Sequence, residues 1–291
     1  MATDLDPVPA RISTSASATR RGRWRRTALL LAAITLLLMS ACGGSVSSSS
    51  TAGDNSTTTV GHLPQGADTV DVDPTDFTTE IDNPYLPMVP GTRWKYREVG
   101  PDGEVMEVAV IVTNTTKQIA NGVTARVVRD TVTLDGEIVE DTFDWYAQDQ
   151  EGNVWYFGED TAEFENGEIT TTAGSFEAGV DGALPGIIMP ANPTPGMKYR
   201  QEYYAGEAED NGEVLSTNEM ADVPFGHFEG MLLTKDTITI EPDVLEYKLF
   251  ARNVGLVLTL DVSGGSGREE LINVDTAPED AGTGPLGSPS P

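Results

Sequence analysis

From about Asp71 to Asp275 the chain alternates apolar and polar residues with a period of two. Val108, Val110 and Val112 share one face of a predicted strand; so do Phe143, Trp145 and Ala147, and Leu245, Tyr247 and Leu249. Between such runs stand pairs suited to left-handed turns: Asp102-Gly103, Asn121-Gly122, Asp135-Gly136, Asn166-Gly167 and Asn211-Gly212. No long stretch repeats at the helical period of 3.6. Hairpin-length connections join neighbouring strands, so the pattern predicts an all-β protein built of antiparallel meanders.

The body also repeats itself. Pro90-Gly91 through Glu98 (PGTRWKYRE) resembles Pro195-Gly196 through Glu202 (PGMKYRQE). Further on, Val112-Thr-Asn114 pairs with Ser216-Thr-Asn218, Asp130-Thr131 with Asp236-Thr237, and the segment from Asp144 with the segment from Glu246. Glycines at 91, 122 and 152 in one copy answer glycines at 196, 226 and 255 in the other, a nearly constant spacing. Two homologous meander halves are expected, residues 71–160 and 185–275, with 161–184 bridging them. They would form one curved sheet or a pair of half-barrels, because joining the halves covers their open edges and apolar faces.

The amino-terminal segment is built differently. A basic stretch precedes Ala28–Met39, a run of about 12 apolar residues. That is shorter than the ~20 a spanning helix needs and suits a signal-peptide core. Met39-Ser40-Ala41-Cys42 follows, and small residues before a cysteine resemble the lipobox of bacterial lipoproteins. The resemblance implies cleavage after residue 41 and a diacylglyceryl group on Cys42, although Met39 stands where leucine is usual. Arginine pairs stand at 20–21 and 25–26, and the second, followed by Thr27-Ala28-Leu29, fits a twin-arginine export signal as well as a plain basic leader. Residues 1–41 are thus read as signal peptide and 42–70 as lipid anchor and flexible linker. The small polar run 43–61 would reach roughly 25 Å on average. Residues 276–291, rich in Gly, Pro and Ser, are expected to form a disordered tail.

Charge sharpens this picture. Six of the 18 basic residues and two of the 46 acidic ones precede Cys42, which leaves 12 against 44 and a net charge of −32 beyond it. Such a body repels nucleic acid and anionic headgroups. Cys42 is the single cysteine, so no disulfide can form within the chain.

Candidate chemistry is sparse. His62 lies in the linker and His227 at a turn into a strand, and no nucleophile motif accompanies either. Zinc and iron sites need His or Cys clusters, so no metal and no cofactor is expected. Calcium needs only oxygens; Asp71 to Asp82, the hairpin of Asp149, Glu151 and Asn153, and Glu207 to Glu213 are dense in acids but lack EF-hand spacing. Aromatic residues fall on both faces of the strands. Trp94, Trp145, Trp155 and Tyr199, with His227, are therefore the candidate ligand-binding residues, set in an apolar or sugar-binding groove.

The order PGTRWKY, NG, DT, DG, DWYAQD and GNVWYFGE resembles a family of secreted bacterial lipoproteins of unassigned function, notably from actinobacteria. The strand pattern is also similar to β domains related to periplasmic lipoprotein carriers, half-open barrels that hold an acyl chain. These likenesses imply an extracytoplasmic, lipid-anchored binding or scaffold module whose ligand is apolar, a glycan or a protein. The alternatives are a hydrolase of envelope polymers that uses carboxylates, and an acidic calcium-binding module. The absence of a catalytic constellation favours binding over catalysis.

Overall fold

The computed structural model describes residues 63–100, 103–263 and 267–289. The signal peptide, Cys42 and His62 lie outside the described residues. Within them the fold is nearly all β, with no α-helix and one 3-10 turn at Pro74–Asp76.

The strands are β1 (Phe77–Thr78), β2 (Thr92–Val99), β3 (Val105–Gln118), β4 (Thr124–Leu134), β5 (Glu137–Asp149), β6 (Val154–Glu165), β7 (Glu168–Thr171) and β8 (Phe176–Glu177). There follow β9 (Leu184–Met189), β10 (Lys198–Arg200), β11 (Glu202–Tyr203), β12 (Asp210–Val223), β13 (Gly226–Ile238), β14 (Glu241–Ala251), β15 (Gly255–Ser263) and β16 (Arg268–Thr276). One antiparallel sheet runs β10-β12-β13-β14-β15-β16-β2-β3-β4-β5-β6-β9-β11, with β1, β7 and β8 paired off this path. The two meanders join through β16 and β2, where Leu271 faces Tyr96 and Val274 faces Trp94.

Closure follows from the outermost strands. β10 and β11 are consecutive in the chain, yet β10 pairs with β12 at one edge and β11 with β9 at the other. The segment Lys198–Tyr203 therefore belongs to both edges and brings the sheet to a nearly closed barrel. Two glycines make the approach feasible. A Cβ on Gly186 would lie 2.3 Å from the Gln201 carbonyl oxygen, and one on Gly212 would lie 2.4 Å from the Tyr199 ring. The ring thus covers a glycine in the neighbouring strand, a pairing that shields exposed backbone.

Equivalent hydrogen bonds recur in the two meanders. Gly91 N–H donates to the Val112 carbonyl at 2.8 Å, and Gly196 N–H to the Val214 carbonyl at 2.8 Å. Val112 therefore corresponds to Val214, two residues before the Ser216 match read from sequence; irregular pairing after Val112 and after Val214 shifts the later residues. Following the register onward, Val128 lies opposite Asp144 and Thr234 opposite Lys248. The counterpart of Asp144 is thus Lys248 rather than Glu246, so the second meander puts a cation where the first has a carboxylate.

The main core gathers Ile81, Tyr85 and Met88 from the segment before β2 with Trp94, Val112, Val128, Met231, Leu232 and Leu271. A second cluster lies on the outer face of β4, β5 and β6. There Val127, Trp145, Ala147 and Phe157 are covered by Val72, Phe77 and Ala178.

Both chain ends depart from the sequence reading. Residues 63–70 were expected within a flexible linker. Instead Arg200, itself 0% exposed, donates from Nη1 to the Gly66 carbonyl at 2.7 Å and to the Asp68 carbonyl, and from Nε to the Pro185 carbonyl at 3.0 Å. Residues 277–289 were expected as a disordered tail. Instead Ala277 and Ala281 bury against Ile111, and Arg129 Nη2 donates to the Ser288 carbonyl at 2.8 Å. In both places a buried guanidinium needs acceptors, and the backbone carbonyls of a segment poor in side chains supply them. β6 also runs on to Glu165, past residue 160.

Candidate functional site

Inside the barrel is a cavity of about 530 Å³. Its apolar part is made by Leu86, Met88, Trp94, Val110, Val128, Ile188, Phe250 and Leu256. Trp94 Nε1 donates to the Val254 carbonyl at 2.7 Å, and Tyr96 Oη to the Leu256 carbonyl at 3.1 Å. The polar tips of both rings are thus satisfied by backbone, which leaves the ring bodies as lining.

The rest of the wall is acidic. Glu98 comes from β2, Asp130 from β4, Glu140 and Asp144 from β5, and Glu159 and Glu163 from β6. Glu202, Glu207 and Asp210 come from β11, the turn after it and β12, and Asp236, Glu246, Asp261 and Glu269 from β13 to β16. These thirteen carboxyl groups face two cationic side chains, Lys248 and Arg268. Lys248 is held by Asp236 at 3.0 Å and Glu246 at 3.1 Å. Burial alone would lower its pKa, but those two carboxylates outweigh burial and raise it. Asp236 also accepts from Gln201 Nε2 at 3.0 Å and Thr234 Oγ1 at 3.0 Å.

Asp144 and Glu159 are direct cross-strand partners. Like charges so placed repel, and the geometry shows the remedy. Tyr156 Oη lies 2.7 Å from Asp144 Oδ1 and 2.7 Å from Glu159 Oε2. A phenol carries one hydrogen, so it can donate to only one of them; the other contact needs a carboxyl that carries its own proton. Burial, and then the charge of Asp144, push Glu159 up to about 8. At neutral pH Glu159 therefore donates to Tyr156, and Tyr156 donates to Asp144. A second shared pair sits across the closing seam. Burial and then Asp210 raise Glu202 well above the carboxylate range, while burial, opposed by Lys248, pushes Asp210 up to about 7.

Of the residues singled out from sequence, Trp94 lines this cavity. Trp145 lies on the outer face under Lys117, whose Nζ is 4.3 Å from the ring centroid. Trp155 donates from Nε1 to Asp149 Oδ2 at 2.7 Å and meets Phe77 edge-on at 5.9 Å. Tyr199 is buried against Gly212, and its hydroxyl has no hydrogen-bond partner. His227 sits on the exposed β12–β13 hairpin, with Nδ1 2.8 Å from Asp222 Oδ1. The structure thus scatters these five residues.

The acidic turns have structural tasks. Asp149 accepts from Asn153 N–H at 2.8 Å and Asn153 Nδ2 at 2.8 Å, clasping its hairpin. Asp73 caps the 3-10 turn by accepting from Thr75 N–H at 2.9 Å. Among the described residues no group of three His, Cys, Asp or Glu is arranged to hold a metal ion.

No protein-family model matches the chain, and no curated protein matches it. One solved structure is similar in part, that of a "putative lipoprotein" from Parabacteroides distasonis, at 12% identity and a TM-score of 0.35, covering 66% of this chain and 98% of the other. So low a score carries nothing about function.

Proposed function

We propose that the protein is an extracytoplasmic binding module, held to the membrane through a lipid on Cys42, whose barrel takes up a cationic organic guest. One observation carries this reading: thirteen carboxyl groups against two cations around an aromatic-floored cavity of about 530 Å³. Crowded carboxylates repel one another in a medium of reduced dielectric, and an ammonium or guanidinium placed among them relieves that repulsion. Trp94, Tyr96, Tyr146 and Tyr156 add ring faces and edges to which the guest's cationic and methylene groups can pack. An acyl chain suits this wall poorly, since it would strip water from carboxylates without offering them a partner.

Spermidine is the first probe. At a hundredfold excess over its Kd it stabilises the fold by about 2.7 kcal/mol, a rise in Tm of roughly 5–10 °C that shrinks with added salt. Uncharged pentane-1,5-diol gives no rise. Equal responses to the two compounds, or none to spermidine, would overturn the cationic-guest reading. The anchor has its own test: Cys42→Ala moves the protein from the membrane fraction to the soluble fraction with its circular dichroism unchanged. A variant that stayed with the membrane would refute lipidation at Cys42.

A hydrolytic reading draws on Asp144 and Glu159, since a protonated acid beside a second carboxyl is what acid–base cleavage of a glycosidic bond requires. On that reading Glu159→Gln abolishes turnover of an envelope polysaccharide, whereas on the binding reading no turnover exists to lose.

A further inference from the structure

The twelve basic side chains beyond Cys42 all lie within the described residues. Eleven are held by carboxylates or buried among carbonyls, such as Arg93 on Asp275 at 2.7 Å and Lys117 on Glu177 at 3.0 Å. Arg126 likewise donates to the carbonyls of Thr79, Thr113 and Thr115. Of these twelve described side chains, that of Arg252 alone makes neither a hydrogen bond nor an ion pair; its guanidinium lies 4.5 Å over the ring of Tyr85. In a chain with 44 acids beyond Cys42, a cation that attracts none of them needs an explanation.

Arg252 lines a pocket of about 410 Å³ at the turn between β14 and β15, which shares no lining residue with the acidic cavity. It follows the end of β14, six residues from Glu246, roughly 20 Å at strand rise. The pocket is rigidly framed. Asn253 N–H donates to the Pro84 carbonyl at 2.7 Å, Asn83 Oδ1 accepts from Tyr85 N–H at 2.9 Å, and Asn153 Oδ1 accepts from Ala191 N–H at 2.8 Å. Three side chains at the pocket, Asn192, Thr194 and Thr217, have hydrogen-bonding groups without a protein partner. Pro84 and Pro193 supply flat apolar faces.

We propose that this pocket binds an anionic monosaccharide, a hydroxylated ring that bears a carboxylate or a phosphate, with Arg252 as its anion fork. The tyrosine face fixes the guanidinium plane and leaves its N–H edge free. That edge matches the two oxygens of an oxyanion. The amide and the two hydroxyls then take ring hydroxyls, and the prolines pack on C–H faces. The site is independent of the barrel interior and of the guest proposed for it.

The test follows the Arg252 Nε–Hε resonance of the ¹⁵N-labelled full chain during titration with glucuronate, glucose 6-phosphate, glucose and inorganic phosphate. A saturable shift with either charged sugar, at least tenfold tighter than with glucose, supports the proposal; which one binds tells carboxylate from phosphate. Arg252→Gln, which loses only a stacking contact, should weaken binding at least tenfold, read on the amides of Asn192 and Thr194. No saturable shift, undiminished binding in Arg252→Gln, or inorganic phosphate binding as tightly as the sugar phosphate would each overturn it.

Discussion

Asp141→Ala is expected to lower stability by about 3–5 kcal/mol, the cost of leaving a buried charge without its partner. Asp141 is 0% exposed and Arg129 1%. Arg129 Nε donates to Asp141 Oδ1 at 2.8 Å, and Nη2 donates to Oδ2. The same carboxylate accepts from Thr131 Oγ1 at 2.9 Å and from Gly287 N–H at 2.7 Å. Alanine would strand a guanidinium, a hydroxyl and an amide together. For a domain of this size the loss corresponds to a fall in Tm of roughly 10 °C. The carboxy-terminal segment should loosen first, because Gly284, Pro285 and Ser288 are tied to Arg129 through their carbonyls. Protease cleavage within 277–289 should therefore rise well before global unfolding. Replacing the pair with apolar residues, Arg129→Met with Asp141→Leu, should recover most of the loss, since no charge then remains to be solvated. A single variant costing less than about 1 kcal/mol would show that water reaches this site.

Glu159→Gln should change the pH dependence of stability instead. The native protein holds a proton on Glu159 up to about pH 8, whereas an exposed carboxyl of ordinary pKa 4.5 releases it far earlier. Between those values the native state binds more protons than the unfolded chain, so stability falls as pH rises. The contribution is fully present below pH 4.5 and gone above about 8. Glutamine keeps a donor for Tyr156 and cannot ionise. The variant should match the parent near pH 5 and exceed it by about 2–4 kcal/mol near pH 8.5, less than the full linkage value because neighbouring acidic groups share the titration. Urea unfolding across that range is the measurement. Parallel profiles for the two proteins would mean that Glu159 ionises normally and that some other proton bridges Tyr156.

The strands, most of the turns and the two meanders were legible because alternation and turn chemistry are local; Asn211-Gly212, read as a turn pair, instead lies within β12 and is paired on both sides. The barrel interior was not, for a specific reason. On β5 the apolar series Phe143, Trp145 and Ala147 points outward under Phe77 and Ala178, while Glu140, Asp144 and Tyr146 point inward. The usual inference, that apolar residues mark the inside of a sheet, is inverted on this strand. With 44 acids to choose from, no spacing could say which thirteen converge. The repeat did carry one usable signal: Asp130 and Asp236 were matched in sequence, and both line the cavity. The ends were misread for a different reason. Composition reports how much a segment can bury, but residues 63–70 and 277–289 are fixed through their carbonyls, which every sequence has.

The junction of β2 with β16 also sets the order of assembly. The first strand of the barrel pairs with the last, across about 170 intervening residues. At synthesis rates of roughly 5–20 residues per second, β2 waits on the order of 10–30 s with one edge bare. The barrel is therefore a structure that neither meander can complete before the last strand is made.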